Sequence, residues 1–71
     1  MWILSQSGST LVCFDTSDYI YVNGVQEIMF KRSEELKPLG SYPSVDRARE
    51  VVKAIFNALK NGENSYSMPA K

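Results

Sequence analysis

Few side chains in this chain can do chemistry, and their types and spacing favour contact over catalysis. Trp2, Tyr19, Tyr21, Tyr42 and Tyr66 fall on or beside segments that read as strands, and Lys31, Arg32, Arg47 and Arg49 supply cations to stand near them. Aromatics sharing an open sheet face form a stacking platform; with a flanking cation, such a face suits a nucleotide or single-stranded nucleic acid. The more ordinary role of such tyrosines is in the core or in a self-association surface, ring buried and hydroxyl wet. Asp15 with Asp18 and Glu34 with Glu35 are the close acidic pairs, and both sit in turn-like stretches where carboxylates bond the local backbone. Neither pair reads as an acid–base dyad or a metal site. Histidine is absent and Cys13 is the single cysteine, which removes disulfide frameworks and zinc sites together. Lying in the apolar run Leu11 to Phe14, Cys13 is expected to be a buried small hydrophobe. The glycines at 8, 24, 40 and 62 are scattered, each expected at a turn or helix stop, so no phosphate-cradling loop exists. No catalytic, cofactor-binding or metal-binding residue is expected.

The element that must position these residues most firmly is an amphipathic helix written between Ser44 and Gly62. Ser44 can accept from the unpaired amides of a first turn, and Asp46 sets a negative charge at the positive end of the helix dipole. Arg47 occupies the place where a full capping box needs Glu or Gln. Lys60 suits the last carbonyls and Gly62 can take the left-handed conformation that ends the helix, giving about 16 residues and about 24 Å. Val45, Ala48, Val51, Val52, Ile55, Phe56 and Leu59 recur at steps of three and four and define the expected core stripe. Asp46 with Arg49 and Glu50 with Lys53 are positioned to pair on the opposite side. That side has two acids against Arg47, Arg49, Lys53 and Lys60; a small basic surplus of this kind is ordinarily a solvated face.

Everything before the helix reads as short strands. Trp2 to Ser5 and Thr10 to Phe14 flank Ser7-Gly8-Ser9, and the polar run Asp15 to Asp18 leads into Tyr19-Ile20-Tyr21-Val22, where the tyrosines share one face and the aliphatics the other. Asn23-Gly24 is a strong two-residue hairpin signal, so Val25 to Lys31 should return antiparallel with Ile28 and Phe30 on one side and Glu27, Met29 and Lys31 on the other. Arg32 to Lys37 reads as a polar turn, and Leu39 to Tyr42 as a short strand before Pro43. After Gly62, Ser65 to Pro69 has the alternation of a last strand or extended segment that can return beside the first strand.

The chain of 71 residues reads as a single α+β domain: a small antiparallel meander of four to six strands, one face covered by the helix, with a short extended or strand segment after it. Eight cations balance eight anions, so no global field draws it to nucleic acid or a membrane. The opening Met-Trp-Ile-Leu is too short for a signal peptide and no segment has membrane-spanning length, which predicts a cytoplasmic protein. A core this small gains from self-association, and one helix leaves the other sheet face to be covered.

The set Met1 to Gln6, Leu11-Val12, Tyr19 to Val22, Leu39 to Tyr42, Ser44, Arg47-Ala48, Glu50-Val51 and Tyr66 to Pro69 resembles a family of small uncharacterised proteins of Gram-positive bacteria, their phages and integrative mobile elements. The resemblance rests on core and turn residues and carries no functional residue over. It implies a mobile-element setting, in which small proteins act by binding. The expected role is therefore non-enzymatic binding or assembly, through self-association as a homodimer or higher oligomer or through another protein. The alternative is a module that sequesters a nucleotide or single-stranded nucleic acid on the tyrosine face.

Overall fold

Short apolar segments separated by polar turns can bury their inner faces only by stacking against one another, and here they do so as two sheets rather than one. The computed structural model describes all 71 residues. Its elements in chain order are β1 (Trp2–Leu4), β2 (Leu11–Cys13), β3 (Tyr19–Val22), β4 (Glu27–Arg32), β5 (Glu35–Ser41), α1 (Val45–Lys60) and β6 (Ser65–Ser67). The fold is α+β. The strands form two three-stranded sheets, in the orders β2-β1-β6 and β3-β4-β5, in place of one continuous meander. The meander breaks at the turn after β2, where Asp18 accepts from the Asp15 amide at 2.8 Å and turns the chain away before β3 begins. As the last segment's pattern allowed, β6 returns beside β1, and it pairs in parallel.

The helix bridges the two sheets, lying against β3 and β4 of one and β6 of the other, where a cover for a single face was expected. Ser44 caps its start, its Oγ accepting from the Arg47 amide at 3.1 Å. Its end is a Schellman closure: Gly62, at φ +73°, donates to the Leu59 carbonyl, and Glu63 donates to that of Ala58. The buried line along the helix is Ala48, Val51, Ile55 and Ala58. Phe56, expected in the core, is 59% exposed, and Val45 and Leu59, expected there too, are exposed as well. At about 100° per residue Phe56 lies about 120° from the centre of the buried line, because the helix rolls onto its small residues Ala48 and Ala58. The expected helix ion pairs also re-form differently: Glu50 meets Arg47 at 3.4 Å, and Asp46, Arg49 and Lys53 take no ion pair.

One core joins everything. Ile3 and Val12 reach it from the first sheet, Ile28, Phe30 and Leu39 from the second, Ala48, Val51 and Ile55 from the helix, with Tyr42 and Met68 closing the ends. Between β3 and β4 the loop spans four residues instead of two. Asn23 Oδ1 accepts from the amides of Val25 and Glu27, which widens the turn and moves the left-handed position to Gln26, at φ 66°. The stretch expected as a polar turn is mostly strand: Arg32 stands opposite Glu35, and Ser33 and Glu34 alone make the turn, with Ser33 at φ 53°. Pro38 lies at a bulge on this edge strand, opposite Met29, and the inserted residue Leu39 is buried. Gly40 is in β5 rather than at a turn. A Cβ there would lie 2.9 Å from that of Gln6, whose amide donates to the Leu39 carbonyl and whose side chain bonds both backbone groups of Ser41. Gln6 thus ties the first sheet to the edge of the second.

Candidate functional site

Alternation along β3 sends Ile20 and Val22 inward against the core and Tyr19 and Tyr21 outward. The β4 register sets Lys31 beside Tyr19 and Met29 beside Tyr21, and β5 continues the two rows with Leu36 and Pro38. Tyr19 is 67% exposed and Tyr21 38%, so this outer face is open and largely apolar. A shallow depression of about 480 Å³ lies between the two rings, lined by Tyr19, Ile20, Tyr21 and Lys31. Lys31 is exposed and forms no ion pair, which leaves its ammonium free for a partner.

The other expected contact residues are placed elsewhere. Trp2 is half exposed but belongs to β1, opposite Cys13 on the outer face of the other sheet. Tyr42 is a core residue, 3% exposed, and its hydroxyl donates to the Pro69 carbonyl at 2.9 Å. Tyr66 is half-buried against the core from β6. Burial raises the pKa of both hydroxyls above the ordinary tyrosine range. The five aromatics therefore do not form one platform; only Tyr19 and Tyr21 share a face. The reason is topological, since Tyr42 follows β5 at the point where the chain crosses under the helix and Tyr66 pairs with Ile3 on the inner side of β1.

Among the cations, Arg32 is committed to the fold. Its Nε and Nη2 donate to the two Asp18 carboxylate oxygens at 3.0 and 2.8 Å, and Nη2 also reaches the Cys13 carbonyl at 2.6 Å. Hydrogen bonds from Arg32 hold the Asp18 carboxyl below the usual carboxylate range, and the same pairing raises the guanidinium. Asp18 is buried and paired with Arg32, whereas Asp15 stays exposed, so the expected solvated acidic pair is a turn anchored at Asp18. Arg47 holds the Lys71 backbone oxygen at 3.1 and 2.7 Å and packs over the Tyr42 ring at 6.0 Å. Arg49 projects from the exposed side of the helix, away from the tyrosines. Cys13 is exposed, contrary to expectation, because Val12 is the residue of β2 that turns inward and period two sends Leu11 and Cys13 out.

No protein-family model, curated protein or solved structure matches this chain. No group of three or more cysteine, aspartate or glutamate side chains comes together in a way that holds a metal, and no helix is long and apolar enough to cross a membrane. What the site offers is surface: two rigidly spaced aromatic rings, an apolar row behind them and one free ammonium. Met29 and Lys31 were legible beside the tyrosines from alternation. Leu36 and Pro38 were missed because a run of charged residues around Leu36 reads as a turn.

Proposed function

We propose that the protein is a non-enzymatic binding or assembly module that acts by protein contact, self-association foremost, through the outer face of the β3-β4-β5 sheet. The observation that carries this reading is the exposure of Tyr19 and Tyr21 on a rigid ladder beside Met29, Leu36 and Pro38. Tyrosine gives large contact area at low entropic cost, and tyrosine and methionine are enriched where proteins meet while most charged residues are depleted. Lys31 is the one charged side chain in the rows that cross the two tyrosines. Zero net charge lets copies approach without mutual repulsion. A mobile-element setting, where small proteins work by binding, fits the same role.

The depression beside Lys31 favours a second reading, a nucleotide or single-stranded nucleic acid stacked between the rings, since its volume is that of a small-ligand site. Its cation supply is thin, however, because Arg32 and Arg47 are already engaged, and nucleic-acid affinity grows with the phosphates neutralised. Light scattering across a concentration series separates the two. Tyr19→Ala with Tyr21→Ala should return an associating wild type to monomer mass with the fold intact by circular dichroism. Unchanged mass in the double variant rejects the self-association reading, and loss of a nucleotide signal at unchanged mass establishes the second.

A further inference from the structure

The outer edge of β3 has the features of a strand-pairing site. The Asn23 amide donates to the Glu27 carbonyl, which makes 23/27, 21/29 and 19/31 the hydrogen-bonded pairs of the β3–β4 ladder and aims the amides and carbonyls of Ile20 and Val22 away from β4. No second strand lies on that side, and no loop or side chain bonds these groups. The depression lined by Tyr19, Ile20, Tyr21 and Lys31 lies at this strand.

Other edges are each guarded in part. On β5, Pro38 lacks an amide and Gln6 occupies Leu39 and Ser41; on β2, Arg32 takes the Cys13 carbonyl; β6 is three residues long, closely followed by Pro69. On β3 the sequence Tyr-Ile-Tyr-Val carries no proline, charge or bulge, the devices by which an edge is normally protected.

We infer that a second copy of this chain pairs with this edge, β3 against β3 antiparallel about a two-fold axis through Tyr21, so that two three-stranded sheets become one of six. This rests on the self-association reading above and states its mode. In that register Ile20 exchanges both its bonds with Val22 of the second copy and Val22 with its Ile20, so every free group of the edge is satisfied. A register centred on Ile20 instead sets Val22 against Asp18, whose amide is already given to Asp15. Within β3 itself no charged side chain stands to repel a second copy, and Lys31 and Glu27 lie one strand back on β4.

Tyr21 then faces Tyr21 of the second copy as a non-hydrogen-bonded pair, with Cα atoms about 4.5 Å apart, within disulfide reach. In a Cys13→Ser background, Tyr21→Cys should form a covalent dimer under mild oxidation, whereas Tyr19→Cys, set opposite Asn23, and Trp2→Cys should not. In the wild type, amide exchange at Ile20 and Val22 should slow severalfold with rising protein concentration while Ser65 and Ser67 stay unchanged. A dimer whose Ile20 and Val22 amides gain no protection overturns the edge pairing and leaves self-association standing. A monomer at every concentration overturns both.

Discussion

On the outer side of β2-β1-β6 stand Trp2, Leu4, Leu11 and Cys13, and on the outer side of β3-β4-β5 stand Tyr19, Tyr21, Met29, Lys31, Leu36 and Pro38. Both faces expose large apolar groups, Leu11 by 58% and Tyr19 by 67%, so apolar exposure does not tell them apart. Their edges do. Arg32 reaches from the end of β4 to occupy the Cys13 carbonyl on β2, whereas nothing reaches the outward groups of Ile20 and Val22 on β3. A surface becomes a docking site here through the combination of apolar face, free backbone and a cation without a partner. On the first sheet the β2 edge is taken only at the Cys13 carbonyl, and no unpaired cation stands among its outer residues.

The two sheets differ outside while sharing one interior, and cutting that interior from either side should give the largest effect. Ile3 and Ile28 are both fully buried, one from each sheet. Ile3→Ala and Ile28→Ala should each cost about 2–5 kcal/mol. In a denaturant titration, Trp2 fluorescence, which reports the first sheet, and far-ultraviolet ellipticity, which reports the whole chain, should lose their signals in one coincident transition for both variants. Separate transitions would mean that the sheets are independent units.

The Asp18–Arg32 pair is the electrostatic strap between β4 and the end of β2, and it carries a pH signature. Its folded carboxyl is depressed, so the stability it contributes is fully present above the unfolded value of about 3.9 and is lost as pH falls through the folded one. Asp18→Asn should lower the melting temperature at neutral pH and flatten its acid-side decline, measured by scanning calorimetry from pH 7 down to pH 2. An equally steep decline in the variant would assign the acid sensitivity to other carboxylates.

The smallest effect should come from the face without an unpaired cation. Leu11→Thr exchanges an exposed leucine for a residue of good strand propensity, so stability should stay within about 0.5 kcal/mol and the mass by light scattering should not change. A shift in mass from this substitution would move the association surface to the first sheet.

What the sequence determined by itself was local. The helix limits follow from Ser44, Asp46 and Gly62 acting on backbone groups within a turn of themselves, and the shared face of Tyr19 and Tyr21 follows from the period of a strand, while the structure decided that this face points outward. Met29 and Lys31 come with them through the register of one hairpin. The tertiary structure decided the rest. Whether Leu11-Val12-Cys13-Phe14 turns Val12 or Cys13 inward depends on what lies beneath it, because an unbroken apolar run carries no alternation. Phe56 is surface because the helix rolled onto Ala48 and Ala58 when it bridged two sheets, and Tyr42 is core through a long-range contact, its hydroxyl on the Pro69 carbonyl; both are set by packing between segments far apart in sequence. The same holds for Arg32, a free cation on the page of residues and a bonded strap in space. Pairing between distant segments left β3 with an open edge, and no local pattern records which strand goes unpaired.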